Sequence, residues 1–243
     1  MLKTLRIAVG FLTVLPVAPK KIEPADLGRS VALFPLVGII YAVVAWGSLR
    51  VSTVVFSEEI ASWLTVLLLT VLNGAIHWDG LIDTADGLGG RTPEQTRALM
   101  KDSRMGAFGG IALGFLVIGK IMLLKSLINQ PLAVFIALFS VSRWAMAFQI
   151  YSQPSVSEGL LKCFVIGNRR VGLVIASGLT LLLGLWSFPV GGVLLGLTLL
   201  MLLLINPLLR WKFGGITGDI LGATNELIEL SCLLVLNIES FRF

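Results

Sequence analysis

Residues 190–209 read VGGVLLGLTLLMLLLINPLL, without a single charge. At 1.5 Å per helical residue such a stretch is about 30 Å long, the depth of a bilayer's hydrocarbon core. The same yardstick, about 20 apolar residues with 17 to 25 tolerated, finds six more segments on either side. In chain order the seven are Ser30–Leu49, Ile60–Ile76, Ala107–Ile128, Leu132–Ile150, Val171–Phe188, Val190–Leu209 and Asp219–Ile238. The fifth and sixth are separated only by Ser187, Phe188 and Pro189, which predicts a tight helical hairpin. Across all 243 residues, 56% are hydrophobic and 14% charged, against a usual charged share of about 25%. One aqueous core cannot absorb that much apolar surface. The composition excludes a disordered chain, and two cysteines exclude a disulfide scaffold. The fold class is all-α: a polytopic membrane helical bundle of about seven transmembrane helices, with an N-terminal interfacial helix.

The positions of the bases give the sidedness, because cytoplasmic loops retain Lys and Arg. Outside the spans they fall in alternating dense and sparse groups: Lys3, Arg6, Lys20, Lys21 and Arg29; then Arg50; then Arg91, Arg97, Lys101 and Arg104; then Lys125; then Lys162, Arg169 and Arg170; then none; then Arg210 and Lys212; then Arg242. Fourteen of the 19 bases share one side, with Lys120 and Arg143 inside spans. This predicts a cytoplasmic N-terminus and an outside C-terminus. The net charge of +5 is thereby a topology signal and not a sign of nucleic-acid binding. The apolar run Ile7–Val17 after Lys3 and Arg6 resembles a signal peptide, but Pro19 spoils cleavage after Ala18. An uncleaved interfacial or half-inserted helix ending at Pro16–Pro19 is expected instead. With no repeat, linker or soluble segment, residues 1–243 read as a single integral membrane catalytic domain.

The scarce charge is concentrated. Eight of the 14 acids, Asp79, Asp83, Asp86, Glu94, Asp102, Asp219, Glu226 and Glu229, lie in residues 79–102 and 219–229 on the predicted cytoplasmic side, and two motifs carry most of them. The first is His77–Trp78–Asp79–Gly80–Leu81–Ile82–Asp83–Thr84–Ala85–Asp86–Gly87–Leu88–Gly89–Gly90–Arg91. If the second helix continues through it, Asp79, Asp83 and Asp86 fall at i, i+4 and i+7 and share one face. Like charges so placed repel, and a helix C-terminus disfavours anions, so the cluster needs a neutraliser. A hard divalent cation such as Mg²⁺ suits carboxylate oxygens and is commonly shared with substrate phosphates. Thr92–Pro93–Glu94–Gln95 then reads as a capping box opening a short helix to about Lys101. It presents Arg97, Lys101 and Arg104 beside the acids. Met100–Lys101–Asp102–Ser103–Arg104–Met105–Gly106–Ala107–Phe108–Gly109–Gly110 adds a fourth carboxylate, and its glycines allow a close approach of a helix or a ligand.

The second stretch, Gly214 to Glu226, places Asp219, Glu226 and Glu229 on one face of the seventh span. An ionisable group there costs at least ~2.5–3.5 kcal/mol and usually faces the bundle interior. Lys120 and Arg143 either pair with these acids or bind substrate phosphate. His77, the lone histidine, has a packing or a catalytic role.

Three motifs in order resemble those of the cobalamin synthase family, the adenosylcobinamide-GDP ribazoletransferases. They are His77–Gly90 with its D-G-L-x-D-T-A-D-G-L pattern, Met100–Gly109 (M-K-D-S-R-x-G-A-F-G), and Gly214–Glu226 (G-G-x-T-G-D-x-L-G-A-x-x-E). Phe11–Leu12–Thr13, Leu15–Pro16–Val17 and Phe34–Pro35–Leu36–Val37–Gly38 support them. The resemblance implies a Mg²⁺-dependent enzyme of the bacterial cytoplasmic (inner) membrane, multi-pass, with its N-terminus and catalytic loops cytoplasmic. It would join adenosylcobinamide-GDP to α-ribazole or its 5′-phosphate and release GMP, with a homo-oligomer or neighbouring corrinoid-assembly enzymes left open as partners.

Forming a phosphodiester from a diphosphate-activated donor calls mainly for charge neutralisation and positioning. On this reading Asp79, Asp83 and Asp86 are the metal ligands, and Asp102 is a further ligand or the base. Lys101, Arg104 and Arg91 serve phosphate oxygens, Ser103, Thr217 and His77 contact substrate, and Asp219 and Glu226 complete the site. Asp83–Asp86–Gly87–Arg91 also resembles the opening of the CDP-alcohol phosphotransferase signature, D-x2-D-G-x2-A-R. Gly90 replaces its Ala, however, and the expected later Gly and two Asp fall at Met100, Arg104 and Phe108. A third reading, an ion-coupled transporter, expects ionisable residues near the midplane, whereas Asp79–Asp102 are predicted at a boundary.

Overall fold

All seven apolar stretches are helical in the computed structural model, which describes residues 1–156, 160–164 and 169–238. Arg242, used above for sidedness, lies outside the described residues. The chain opens with α1 (Leu2–Leu12) and α2 (Pro24–Ser30), which runs through a single 3₁₀ turn into α3 (Phe34–Ser52). Then come α4 (Glu58–Asn73), α5 (Ile76–Gly87), α6 (Pro93–Met100), α7 (Ala107–Lys125) and α8 (Leu132–Ser152). The short α9 (Leu160–Phe164) precedes α10 (Arg169–Leu185), α11 (Val190–Phe213) and α12 (Gly218–Leu236). There is no strand among the described residues, only an isolated bridge between Ser155 and Ile216. Helices are what a bilayer demands, because they satisfy every backbone N–H and C=O within the segment.

Segment 24–52, α7, α8 and α11 are each long and apolar enough to cross a membrane. α8 is the central post, with 89% of its apolar window buried, while α7 and α11 bury only 22% and 28%. Phe115, Ile118 and Met122 of α7 and Leu200, Leu203 and Leu204 of α11 point outward. Apolar surface of that extent is a lipid-facing surface in a multi-pass protein. α10 is a shorter apolar helix. α12 is interrupted by its acids, which face inward: Glu226 and Glu229 are buried.

The second predicted helix does not continue into the acidic stretch. It stops at Asn73, and α5 leaves at 89° to α4. Gly74 takes a left-handed φ of 64° and Ala75 follows at 61°, while the Asn73 side-chain oxygen accepts the Ala75 N–H at 2.8 Å. Glycine after a helix end adopts this conformation without strain. At Ala75 it costs about 1–2 kcal/mol, which the Asn73 hydrogen bond offsets. The carboxylate helix α5 therefore leaves the line of α4 and packs along α7 and α12 instead.

The bundle has two distinct ends. At one, Lys212 at the end of α11 donates to the Gly90 carbonyl, Arg97 of α6 donates to the Phe213 carbonyl at 3.2 Å, and the Ile216 N–H reaches Pro154 O at 2.9 Å. α1 packs beside them, with Phe11 against Phe34 and Phe164 at 5.9 and 4.5 Å between ring centroids. At the other end Lys125 pairs with Glu59, Asn237 donates to Leu123 O at 3.1 Å, and the α10–α11 hairpin turns between Leu185 and Val190. The base-rich connections gather at the first end, as the alternation of charge requires.

Candidate active site

Along α5, Asp79, Asp83 and Asp86 project from one side, as their spacing dictates. Asp79 and Asp83 line a cavity of about 300 Å³ together with Lys101, Asp102, Ser103 and Arg104, over apolar Ile82, Met100 and Met105. The segment carrying the second set is placed by α6, whose Thr92 N-cap forms as its sequence predicts, while the Gln95 side chain reaches one residue further back than in a standard capping box. Thr92 Oγ1 accepts the Gln95 N–H at 3.3 Å, and Gln95 Oε1 accepts the Arg91 N–H at 3.0 Å. Six candidates, separated by up to 25 positions, thus share one concavity.

Burial, followed by repulsion from Asp79, Asp219 and Asp86, pushes the Asp83 carboxyl up to about 6. No basic group among the described residues pairs with Asp79 or Asp83. Asp102 is the opposite case: the Arg104 guanidinium holds it down to about 2 through bonds of 3.0 and 2.7 Å. A carboxylate so strongly ionised is a poor proton acceptor near neutral pH. Its Oδ1 also accepts the Arg104 backbone N–H at 3.0 Å.

Asp86, on the same side of α5 but nearer its end, is taken up by α7 and does not line the cavity. Its oxygens accept the N–H groups of Gly106 and Gly109 at 2.7 and 2.8 Å, capping α7 from another helix, where the dipole favours an anion. A Cβ at either glycine would collide with that carboxylate, so these glycines serve helix approach. Asp219, in the first turn of α12, lies against α5: a Cβ on Gly80 would stand 2.6 Å from its carbonyl oxygen. Thr217 is the α12 N-cap, accepting the Ile220 N–H at 3.2 Å. Arg91 is exposed on the turn after α5 and does not line the cavity.

His77 and Glu226 are likewise outside it, buried on the far side of α5. Glu226 pairs with Lys120, Glu229 pairs with Lys120 at 2.7 Å and also with Arg143, and His77 Nδ1 lies 3.2 Å from Asn225 Nδ2. Of the two roles open to Lys120 and Arg143, the structure shows pairing. Asn225 and the helix-crossing glycines escaped the sequence reading, although Gly80 and Gly222 stand in the motifs that carry it.

Among the described residues no group of three or more His, Cys, Asp or Glu forms a metal-holding cluster. Two unpaired carboxylates beside a cavity are instead a donor set that suits Mg²⁺ only when phosphate oxygens complete the shell.

A family model described as cobalamin-5-phosphate synthase matches residues 4–237. Similar curated proteins named adenosylcobinamide-GDP ribazoletransferase occur in Desulforamulus reducens, 36% identical over 94% of each chain, and in Syntrophobacter fumaroxidans, 37% identical over 93% of this chain and 94% of that one. The protein of that name from Geotalea daltonii is 30% identical over the whole of both chains. No solved structure matches.

Proposed function

The chain belongs to the cobalamin-5-phosphate synthase family, and we infer that it acts in cobalamin nucleotide-loop assembly as an adenosylcobinamide-GDP ribazoletransferase, the name its relatives carry. It moves the adenosylcobinamide-phosphate group from adenosylcobinamide-GDP to α-ribazole or α-ribazole 5′-phosphate. A ribazole hydroxyl oxygen bonds to the phosphorus bearing the cobinamide arm, the bond from that phosphorus to the bridging oxygen breaks, and GMP leaves. The hydroxyl proton passes to a cavity carboxylate or to water.

The observation that carries this reading is the shared cavity, where the first two sequence motifs meet as Asp79 and Asp83 facing Lys101, Asp102, Ser103 and Arg104. Lys101 and Arg104 neutralise diphosphate oxygens, and Asp102 holds Arg104 in place. Asp79 and Asp83 would hold Mg²⁺ against the diphosphate. The ion would supply charge neutralisation as negative charge builds on the leaving GMP. The raised Asp83 carboxyl, caused first by burial and then by the neighbouring Asp79, Asp219 and Asp86, is consistent with this reading, because a cation would relieve the repulsive part. We place the protein in the bacterial cytoplasmic membrane with this end inside, where nucleotide donors are.

The test is turnover of purified protein in lipid nanodiscs supplied with Mg²⁺, adenosylcobinamide-GDP and α-ribazole. Wild type should release GMP in step with adenosylcobalamin, and Asp83→Asn should lose about a hundredfold or more, in line with removal of one preorganised electrostatic group. Full Mg²⁺-dependent release by both Asp79→Asn and Asp83→Asn would sink the metal assignment. CMP release from a CDP-alcohol donor without GMP release would replace the reaction by that of the CDP-alcohol class, and ion flux without turnover would favour a transporter.

A further inference from the structure

Five ionisable side chains from four helices meet inside the bundle beneath α5. Arg143 of α8 and Glu226 of α12 are each 1% exposed, His77 of α5 and Glu229 of α12 3%, and Lys120 of α7 4%. Lys120 pairs with both glutamates and Arg143 with Glu229. Ser142 Oγ lies 3.4 Å from Glu229, and Arg143 stacks 3.8 Å from the Tyr41 ring centre of α3. Two cations balance two carboxylates, with Asn225 Nδ2 bridging Glu226 and Glu229 at 3.3 and 3.1 Å.

Stability alone does not account for such a cluster. Apolar groups of similar volume are often equal to buried ion pairs or better, because desolvation cancels most of the attraction. What a charge cluster adds is a defined register between the elements that carry it. α5 needs one. It is three turns long and enters through a right-angle bend, and its contacts with α12 at Gly80 against Asp219 and at Gly222 against the His77 backbone are steric contacts of glycine, which permit rolling. A roll of one residue position, about 100°, would carry Asp79 and Asp83 out of the cavity. Directional contacts oppose it at both ends of α5: the Asp86 bonds to Gly106 and Gly109 at its C-terminal end and, at its N-terminal end, the His77 ring, held at Nδ1 by Asn225 at 3.2 Å and lying 3.7 Å from Glu226.

We propose that the buried cluster Lys120–Glu226–Glu229–Arg143 acts through Asn225 and His77 as the pin that sets the rotation of α5, making His77 and Glu226 positioning residues for the cavity carboxylates and not groups that touch substrate. This rests on the reaction proposed above. Neither residue lines the cavity, yet His77 lies two positions from Asp79 and Glu226 lies seven from Asp219, two turns deeper in the bundle.

The test compares His77→Ala, His77→Gln and the charge-balanced double variant Glu226→Gln/Lys120→Met in nanodiscs, reading Tm, kcat, donor KM and the Mg²⁺ concentration for half-maximal activity. His77→Ala should keep Tm within a few degrees while kcat falls about ten- to a hundredfold, the scale of an ångström-sized misplacement, and the Mg²⁺ requirement rises several-fold. Gln, whose carbonyl accepts from Asn225, should restore most of the loss, and the double variant should fold and behave like His77→Ala. Amide hydrogen exchange over residues 76–87 reads the same pin without catalysis, and should quicken in His77→Ala but not in His77→Gln. Wild-type kcat and Mg²⁺ requirement in His77→Ala or in the double variant would overturn the proposal, as would losses that track Tm with Gln no better than Ala. A wild type that releases no GMP would count against the reaction, and the exchange result would still decide the pin.

Discussion

Burial, with repulsion from neighbouring carboxylates, raises Asp83 from the ordinary carboxyl value of 3.8 to about 6, and that direction fixes a pH response. Between pH 3.8 and about 6 the folded protein holds a proton that the unfolded chain has already released. The stability of the metal-free protein should therefore decline as pH rises through that window and level off above it. Thermal unfolding with a chelator present should show this slope, and Asp83→Asn should flatten it. Mg²⁺ together with a diphosphate should raise Tm at pH 7 in wild type more than in the variant, since a ligand of the folded state stabilises it. The three-aspartate face was legible because helical spacing is local information. The different fate of Asp86 was not, because its partners at Gly106 and Gly109 lie 20 and 23 positions on, and nothing local to Asp86 names them. Glu226 and Glu229 were visible as charges in a span, and Lys120 and Arg143 as candidate partners. Only the assembled bundle decides between pairing and phosphate.

At the scale of elements, α5 meets α12 backbone to backbone beside the site. A Cβ on Gly80 would stand 2.6 Å from the Asp219 carbonyl oxygen and 2.8 Å from its Cα, so Gly80→Ala must push the helices apart. Overpacking of this kind costs about 1–3 kcal/mol, and Tm and GMP release should both fall. Gly114, in the middle of α7, meets nothing within 4 Å. Gly114→Ala should leave activity intact and stabilise by up to about 1 kcal/mol. The seven helices were readable from apolar length, and α6 from its capping box. The break at Asn73–Gly74–Ala75 was missed because apolar length alone was followed through it, although Asn and Gly at a helix end are a stop signal in their own right.

For the whole molecule, the base-rich connections share one end, and the orientation in the membrane follows if the positive-inside rule holds. In a Cys163→Ser background, a membrane-impermeant maleimide should label Lys20→Cys and Glu94→Cys only from the cytoplasmic side and Asn129→Cys only from the other. Cys232 is buried and should stay silent. The opposite pattern would invert the molecule and move the cavity away from its nucleotide donor.

The clasp between Asp86 and the start of α7 has a consequence for the cavity. Residues 86–106 form a closed loop: the backbone runs one way round, and the carboxylate bonds to Gly106 and Gly109 complete the circuit. Lys212 and Arg97 stitch that circuit to the end of α11, so its circumference is fixed while the clasp holds. The cavity beside it, about 300 Å³ and lined by Asp79, Ile82 and Asp83 as well as residues 100–105, is at the lower limit for ligand pockets. The clasp therefore ties the two walls of that cavity together, α5 on one side and residues 100–105 on the other, so that neither can spread without parting Asp86 from Gly106 and Gly109.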